Sequence, residues 1–346
     1  MQHHVRPMAL IASALLLGYL LILFMRASLI SDMLLFAVSL FALVKSADIF
    51  TRLATDLGNR LGISRLATGI LIIAIGTSAP ELFASVGAAL QGQPEIVVGN
   101  VLGTIIANSL LGIGCGAIVA STALKVHHSV FGTQMSLFLV AILLALGSLY
   151  DGILVWYEGL ILLIVLGFYL HHVMRHSGVP EPDTHGIPDE SVESADMSPP
   201  VAWLIPLLLI SLAALFLSGD LVVTALIQGA ATLDISSTKL ATSILAVGTS
   251  IPEIATAIAL VRQHNADGLF GEIIGSNIFD VLGIFGIIAL FTPLTLAADL
   301  LLYLSGSVFL MFIITMMIMN DREINRLEGV SLIALFSLFT LQLVNL

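Results

Sequence analysis

Apolar positions in this chain run in long unbroken blocks, without the alternation of a half-buried strand or the one-sided stripe of a surface helix. Reading those blocks against Gly, Pro and charge punctuation gives spans at 8–25, 31–51, 66–90, 96–120, 129–148, 153–170, 201–228, 240–261, 269–291, 298–319 and 327–345. Each approaches or exceeds the ~18 apolar residues that, as a helix, cross ~30 Å of hydrocarbon. Backbone groups in lipid must be satisfied within the segment, so each block is expected to be helical. The pattern predicts an all-α polytopic membrane protein with eleven transmembrane helices.

Composition strengthens this reading. The chain is 58% hydrophobic and 10% charged, against about 45–50% apolar and about 25% charged in a soluble domain. A water-soluble fold is excluded, the lipid bilayer is the surrounding partner, and no nucleic-acid partner is expected. The net charge of −11 lies largely in one loop and in carboxylates within spans, so position matters more than the total. Arg6, Arg52, Arg60, Arg65, Lys125, Arg175, Arg262, Arg322 and Arg326 fall on one side of the spans, and only Arg26 and Lys239 on the other. The positive-inside rule makes the first side cytoplasmic, together with the N-terminus. Lys45 lies inside the second span and is expected to snorkel or to face polar neighbours. The first block is longer than a signal-peptide core and lacks a small-x-small cleavage site, so a retained helix is expected.

Residues 171–200 are rich in Pro, Ser, Asp and Glu, with His171, His172, His176 and His185. This composition reads as a solvated cytoplasmic linker, with metal binding or pH sensing as the sharper alternative. Cys115, the single cysteine, sits in the small-residue run LLGIGCG and reads as packing.

Residues 46–114 align without a gap on 218–286 at a constant offset of 172. Gly76-Thr77-Ser78 falls on Gly248-Thr249-Ser250, Pro80-Glu81 on Pro252-Glu253, Thr104 on Ser276 and Asn108 on Asp280. Setting the first helix aside leaves five spans per half, and an odd number reverses the second half in the membrane. The expected organisation is an extra N-terminal helix at 1–30, a first repeat at 31–170, the linker at 171–200, and a second, inverted five-helix repeat at 201–346. A pseudo-twofold axis in the membrane plane then brings the two GTSxPE segments face to face near the midplane.

An ionised carboxylate in mid-membrane is costly unless paired, protonated or bound to a cation. Glu81, Glu253 and Asp280 lie mid-span with Asn108, and the four spans that hold them contain no basic residue deep enough to serve as partner. A bound cation is the natural counter-charge. Pro80 and Pro252 lack an N–H and push against the carbonyls of Gly76 and Gly248, so a kink is expected, with carbonyls from Ala74 to Thr77 and from Ala246 to Thr249 turned inward. Helical i, i+4 spacing puts Thr77 with Glu81, Thr104 with Asn108 and Ser276 with Asp280 on shared faces. These donors are all oxygen, which suits hard cations such as Ca²⁺ and Na⁺ and not Zn²⁺ or copper. One GTSxP stretch alone is commonly just a kinked helix; two in register, each with Glu, make a site the better reading. Gly99, Gly103, Gly271 and Gly275 read as close helix packing. Asp48 and Asp220 are open to capping or pathway roles.

GTSAPELFAS with GTIIANSL, and GTSIPEIATA with GSNIFDVLG, resemble the two alpha-repeats of the calcium/cation antiporter superfamily, particularly its prokaryotic sodium/calcium exchangers. The resemblance implies that Ca²⁺ is held chiefly by Glu81 and Glu253 with the carbonyls of Thr77 and Thr249. It further implies sodium sites that use those glutamates with Ala74, Ser78, Thr104, Ala246, Ser250 and Ser276, Asn108 and Asp280 completing the diamond. Where the first repeat of the family commonly reads Gly-Ser-Asn, this chain has Gly103-Thr104-Ile105, which keeps a hydroxyl and loses an amide. The implied function is exchange of Ca²⁺ for Na⁺ by alternating access, two lateral helices sliding past a rigid core in a prokaryotic inner membrane, with no cofactor. The alternative is a Ca²⁺/H⁺ antiporter, because clustered carboxylates also carry protons. A passive cation channel is less favoured. An intramembrane hydrolase using Ser78 or Ser250 lacks a GxSxG elbow, an HExxH motif and a histidine base in those helices.

Overall fold

Helices that are apolar on every side have no solvent-facing stripe to orient them. In lipid their packing is set by small residues that let backbones approach and by polar side chains that meet across interfaces. The computed structural model describes residues 10–18, 29–60, 74–125, 128–176, 201–262, 264–318 and 323–345. Residues 10–18 are helical; the rest of the expected first helix, Arg65 and most of the 171–200 linker lie outside the described residues.

The first half contains α1 (Leu29–Arg60), α2 (Ala74–Thr77), α3 (Ala79–Leu90) and α4 (Pro94–Ala107). A π-helical turn, Asn108–Gly112, leads into α5 (Ile113–Val119), followed by β1 (Leu124–Lys125), α6 (His128–Ser148), β2 (Ile153–Leu154) and α7 (Trp156–His176). The second half repeats the order with α8 (Val201–Leu233), α9 (Ser237–Leu240), a π turn at Ala241–Leu245, α10 (Ala246–Thr249), α11 (Ile251–Arg262) and α12 (Ala266–Phe279). Another π turn, Asp280–Ile284, is followed by α13 (Phe285–Ala289), β3 (Leu294–Thr295), α14 (Ala298–Ile318), β4 (Glu323–Ile324) and α15 (Arg326–Asn345).

Seven described helices are long and apolar enough to cross a membrane, or eight if the bent pair Ser237–Thr249 and Ile251–Arg262 is one span. The other expected spans correspond to the shorter apolar helices Ala79–Leu90 and Gln134–Ser148 and to helical residues 10–18. Nearly every position of the central spans is buried inside the protein, 94% for Pro94–Val119 and 83% for Ala266–Ala289, whereas the others are 17–44% buried. These two spans, with the buried α3 and the residues of α10 and α11 that face them, form the core, and the five other long helices are the more exposed periphery.

The repeat is visible in the element boundaries. α2 and α10, α3 and α11, α4 and α12, and the π turns at Asn108 and Asp280 all start 172 residues apart. Past α5 the offset drops to 170, Leu124 against Leu294 and Trp156 against Arg326, because α13 is two residues shorter than α5. The halves also exchange partners as a twofold axis requires. β1 pairs antiparallel with β4, and β2 with β3. A Cβ on Gly114 would lie 2.9 Å from the Gly329 carbonyl, and one on Gly286 would lie 3.0 Å from the Gly159 carbonyl, so the same glycine-to-glycine crossing occurs twice. Two-residue strand pairs supplement the helical architecture: extended loop backbone at the helix ends needs hydrogen-bond partners, and a loop of the other half supplies them.

α1 and α8 pack mainly on each other, with α8 also crossing α3. At that crossing a Cβ on Gly87 would sit 2.9 Å from the Gly219 carbonyl carbon and oxygen, which forces two backbones into direct contact. The hydroxyls of Ser39 and Ser46 return to Leu35 and Ala42 on their own helix at 2.6 and 2.7 Å, and Ser218 returns to Ala214. A cross-link to the core comes from Gln91, whose amide donates to the Asp220 carboxylate at 2.8 Å and to the Thr224 hydroxyl at 3.3 Å. Asp48, the equivalent of Asp220, pairs within its own helix with Arg52 at 3.0 Å and Lys45 at 4.0 Å. Lys45 is about half exposed, as expected for a snorkelling side chain.

Candidate cation site

Both GTSxPE segments break their helix at the serine. Ser78 (φ −81°, ψ 7°) and Ser250 (φ −75°, ψ 1°) leave helical geometry for one residue, and the second span bends by 41° there. Beyond the break the helix resumes, Leu82 donating to the Ser78 carbonyl and Ile254 to the Ser250 carbonyl at 3.0 Å each. The expectation of inward-turned open carbonyls is narrowed at Ala246, which accepts the Ser250 amide at 3.1 Å and the Thr249 hydroxyl at 3.3 Å. The tight turn redirects neighbouring donors onto carbonyls near the proline.

Glu81, Glu253, Asp280, Asn108, Ser78, Ser250, Thr104 and Thr249 are fully buried, Ser276 and Ala246 nearly or fully so, and Thr77 is partly buried. The backbone of Ala74 is helical. Both carboxylate oxygens of Glu81, Glu253 and Asp280, the hydroxyls of Ser78, Ser250 and Thr104, and Oδ1 of Asn108 have no hydrogen-bond partner among the described residues. Three such acids in low dielectric are untenable in ionised form without a counter-charge, and α4, α5, α12 and α13 contain no Lys or Arg.

The halves meet at these residues. Asp280 and Glu272 of the second half lie near Glu81 of the first, and Glu81 lies near Glu253. The Thr249 hydroxyl lies beside Glu81 but directs its proton to the Leu245 carbonyl at 3.1 Å. Ser78 of the first half lies beside Asp280 of the second. A chain of amides fixes the crossing: Asn108 Nδ2 donates to Asn277 Oδ1 at 3.1 Å, and Asn277 Nδ2 donates to Ser109 Oγ at 3.0 Å. That chain commits the amide N–H groups and leaves Asn108 Oδ1 as an open acceptor. Among the described residues no three His, Cys, Asp or Glu side chains converge on one metal-sized point.

Three features escaped the motif reading. Asn277 and Ser109 form the amide bridge, which depends on cross-repeat geometry. Glu272 has two buried, unpartnered carboxylate oxygens and acts electrostatically on Glu81 and Glu253. The offset of 172 places it on Asn100, a polar-to-acidic pair like Asn108 and Asp280, and that register was the available signal. Gly99 and Gly103 pack as expected, against Thr238 and Thr242, but Gly271 and Gly275 do not: a Cβ on Gly271 would meet nothing within 4 Å and one on Gly275 only the Tyr169 hydroxyl at 3.6 Å. Cys115 is partly buried, within the small-residue packing of α5. His171 and His172 are on α7, and 177–200 lie outside the described residues.

Comparisons with known proteins agree with this construction. The family model described as sodium/calcium exchanger protein matches residues 31–175 and 203–344. The inner membrane protein YrbG of Escherichia coli (strain K12) is 35% identical over 262 residues, covering 74% of this chain and 78% of that protein. A structure of the sodium-calcium exchanger NCX_Mj superposes with a TM-score of 0.58 at 25% identity, covering 90% of this chain and 98% of the other. The H⁺/Ca²⁺ exchanger CAX superposes with a TM-score of 0.72 at 17% identity, covering 99% of this chain and 88% of the other, and shares the fold. The matched segments are the two repeats that carry the buried acids, and the chain is therefore an integral membrane transporter of the sodium/calcium exchanger family.

Proposed function

We propose that the protein exchanges Ca²⁺ for Na⁺ across the membrane by alternating access, binding both at the buried site between the repeats. The observation that carries this is the set of carboxylates of Glu81, Glu253 and Asp280, all fully buried and without a hydrogen-bond partner among the described residues. Glu81 and Glu253 balance the charge of one Ca²⁺. The carbonyls of Thr77 and Thr249 complete its shell, in keeping with the oxygen-rich coordination of hard divalent ions. Several Na⁺ ions replace it, spread over Ser78, Thr104, Ser250, Ser276 and the carbonyls of Ala74 and Ala246, with Asn108 and Asp280 between.

Alternating exposure is supported by the packing. α1 and α8 form a unit that meets the core through backbone contact at Gly87 and Gly219, while many of its hydroxyls bond within their own helices. Such a surface can shift without breaking many directional bonds. On this reading the first repeat, the second repeat and the extra first helix are separate structural units of one transporter in a cell membrane.

The test is calcium uptake into proteoliposomes under an outward sodium gradient, compared with an outward proton gradient at matched membrane potential. Sodium-driven uptake that a proton gradient does not replace supports the reading. Uptake driven by protons alone replaces it with Ca²⁺/H⁺ antiport, and calcium flux without either gradient or counterflow identifies a channel.

A further inference from the structure

The two core helices carry matching stripes of oxygen-bearing side chains at i, i+4, i+8: Asn100, Thr104 and Asn108 on α4, and Glu272, Ser276 and Asp280 on α12. At the outer position of the first stripe, Asn100 is a strut. Its Nδ2 donates to the Glu81 carbonyl at 3.5 Å and lies 3.4 Å from Ser85 Oγ, tying α4 to α3. In the second half both side chains of that strut are changed, while the glutamate carbonyl is kept. Glu272 replaces the amide donor, and Ala257, fully buried, replaces Ser85. The carboxylate has no donor to offer when ionised and no hydroxyl to accept from, and both its oxygens are buried without a hydrogen-bond partner.

From this asymmetry we infer that Glu272 is a fourth acid of the ion pathway, forming a subsite for a hard monovalent cation, Na⁺, one helical turn outside the central site. Glu272 stands ~6 Å along the helix axis from Ser276 and ~12 Å from Asp280, at 1.5 Å per residue. An ion at Glu272 is therefore distinct from one at Asp280, with the Ser276 hydroxyl between them and the Glu253 carbonyl, the counterpart of Asn100's acceptor, on the neighbouring helix. A buried carboxylate facing acceptors is stabilised by a bound cation. With α12 beginning at Ala266, the subsite lies on the approach from that end of the helix, where the other half presents a neutral amide. At this position of the stripe the α12 approach is consequently charged and the α4 approach neutral.

The inference rests on the central site being a cation site, and its test is chosen to be read independently. Purified wild-type protein, Glu272→Asn, and the double variant Glu272→Asn with Ala257→Ser, which rebuilds the Asn100–Ser85 strut, are dialysed to equilibrium against labelled sodium and, separately, labelled calcium. Both variants are expected to bind one Na⁺ fewer per chain at saturation, while calcium affinity changes by less than about tenfold, a single decade of binding constant. Equal sodium counts in wild type and double variant overturn the inference, and the rebuilt strut guards against loss through misfolding. A wild type that binds no calcium would instead overturn the calcium reading, while the sodium difference still decides the role of Glu272.

Discussion

Replacing Glu253 by Gln keeps the size and one ligating oxygen of the side chain and removes its charge. At ~2.4 Å from an oxygen ligand, Ca²⁺ and a unit negative charge attract by about 14 kcal/mol at an effective dielectric of about 20. Desolvation of both ions offsets most of that. The cost that remains when one partner of a buried pair is neutralised is about 3–5 kcal/mol. At about 1.4 kcal/mol per tenfold, Glu253→Gln should weaken calcium binding by roughly two to three and a half orders of magnitude. The retained amide oxygen favours the lower end. Glu81 is the counterpart of Glu253 in the other repeat, so Glu81→Gln should cost a similar amount. The double variant should cost less than the sum, because the residues work on one ion. Calorimetric titration of calcium into purified protein, paired with calcium uptake in sodium-loaded proteoliposomes, measures this. A loss smaller than tenfold in both single variants would refute the site, since the acids would then be buried for another reason.

Asp280→Asn makes the second repeat match Asn108 and leaves two carboxylates for one divalent ion; calcium affinity should change by less than about tenfold and sodium dependence should become less steep, which concentration-jump currents would show. Gly219→Val drives a side chain into the Phe83 backbone and should cost about 1–3 kcal/mol by overpacking; an unchanged melting temperature in detergent would contradict that contact. Lys125, bonded to Glu323 at 2.7 Å, has its ammonium pKa raised by that hydrogen bond and by the charge of Glu323. Its stabilisation is present below the ordinary lysine range, about 10.4, and lost as pH rises through the folded value. Lys125→Met should therefore lower the melting temperature slightly at neutral pH and make no difference in strong alkali.

Much of the architecture was legible in the sequence because lipid removes options. A long apolar block has to be helical, and five blocks per half force inversion, so the constant offset from Ser46 to Gly114 already paired Glu81 with Glu253 and Asn108 with Asp280. The proline in GTSxPE marked the break, which the structure puts at Ser78 and Ser250. Side-chain partners were not legible, because they depend on which residues of one half face the other. Asn277 bonding to Ser109, β1 pairing with β4, and Gln91 reaching Asp220 each join residues more than 125 positions apart. Glu272 shows the division most sharply. Sequence supplied an acid opposite an asparagine; only the packed helices decided that its carboxylate is buried, unpartnered and on the ion path, because burial is a property of the surrounding chain and not of the residue.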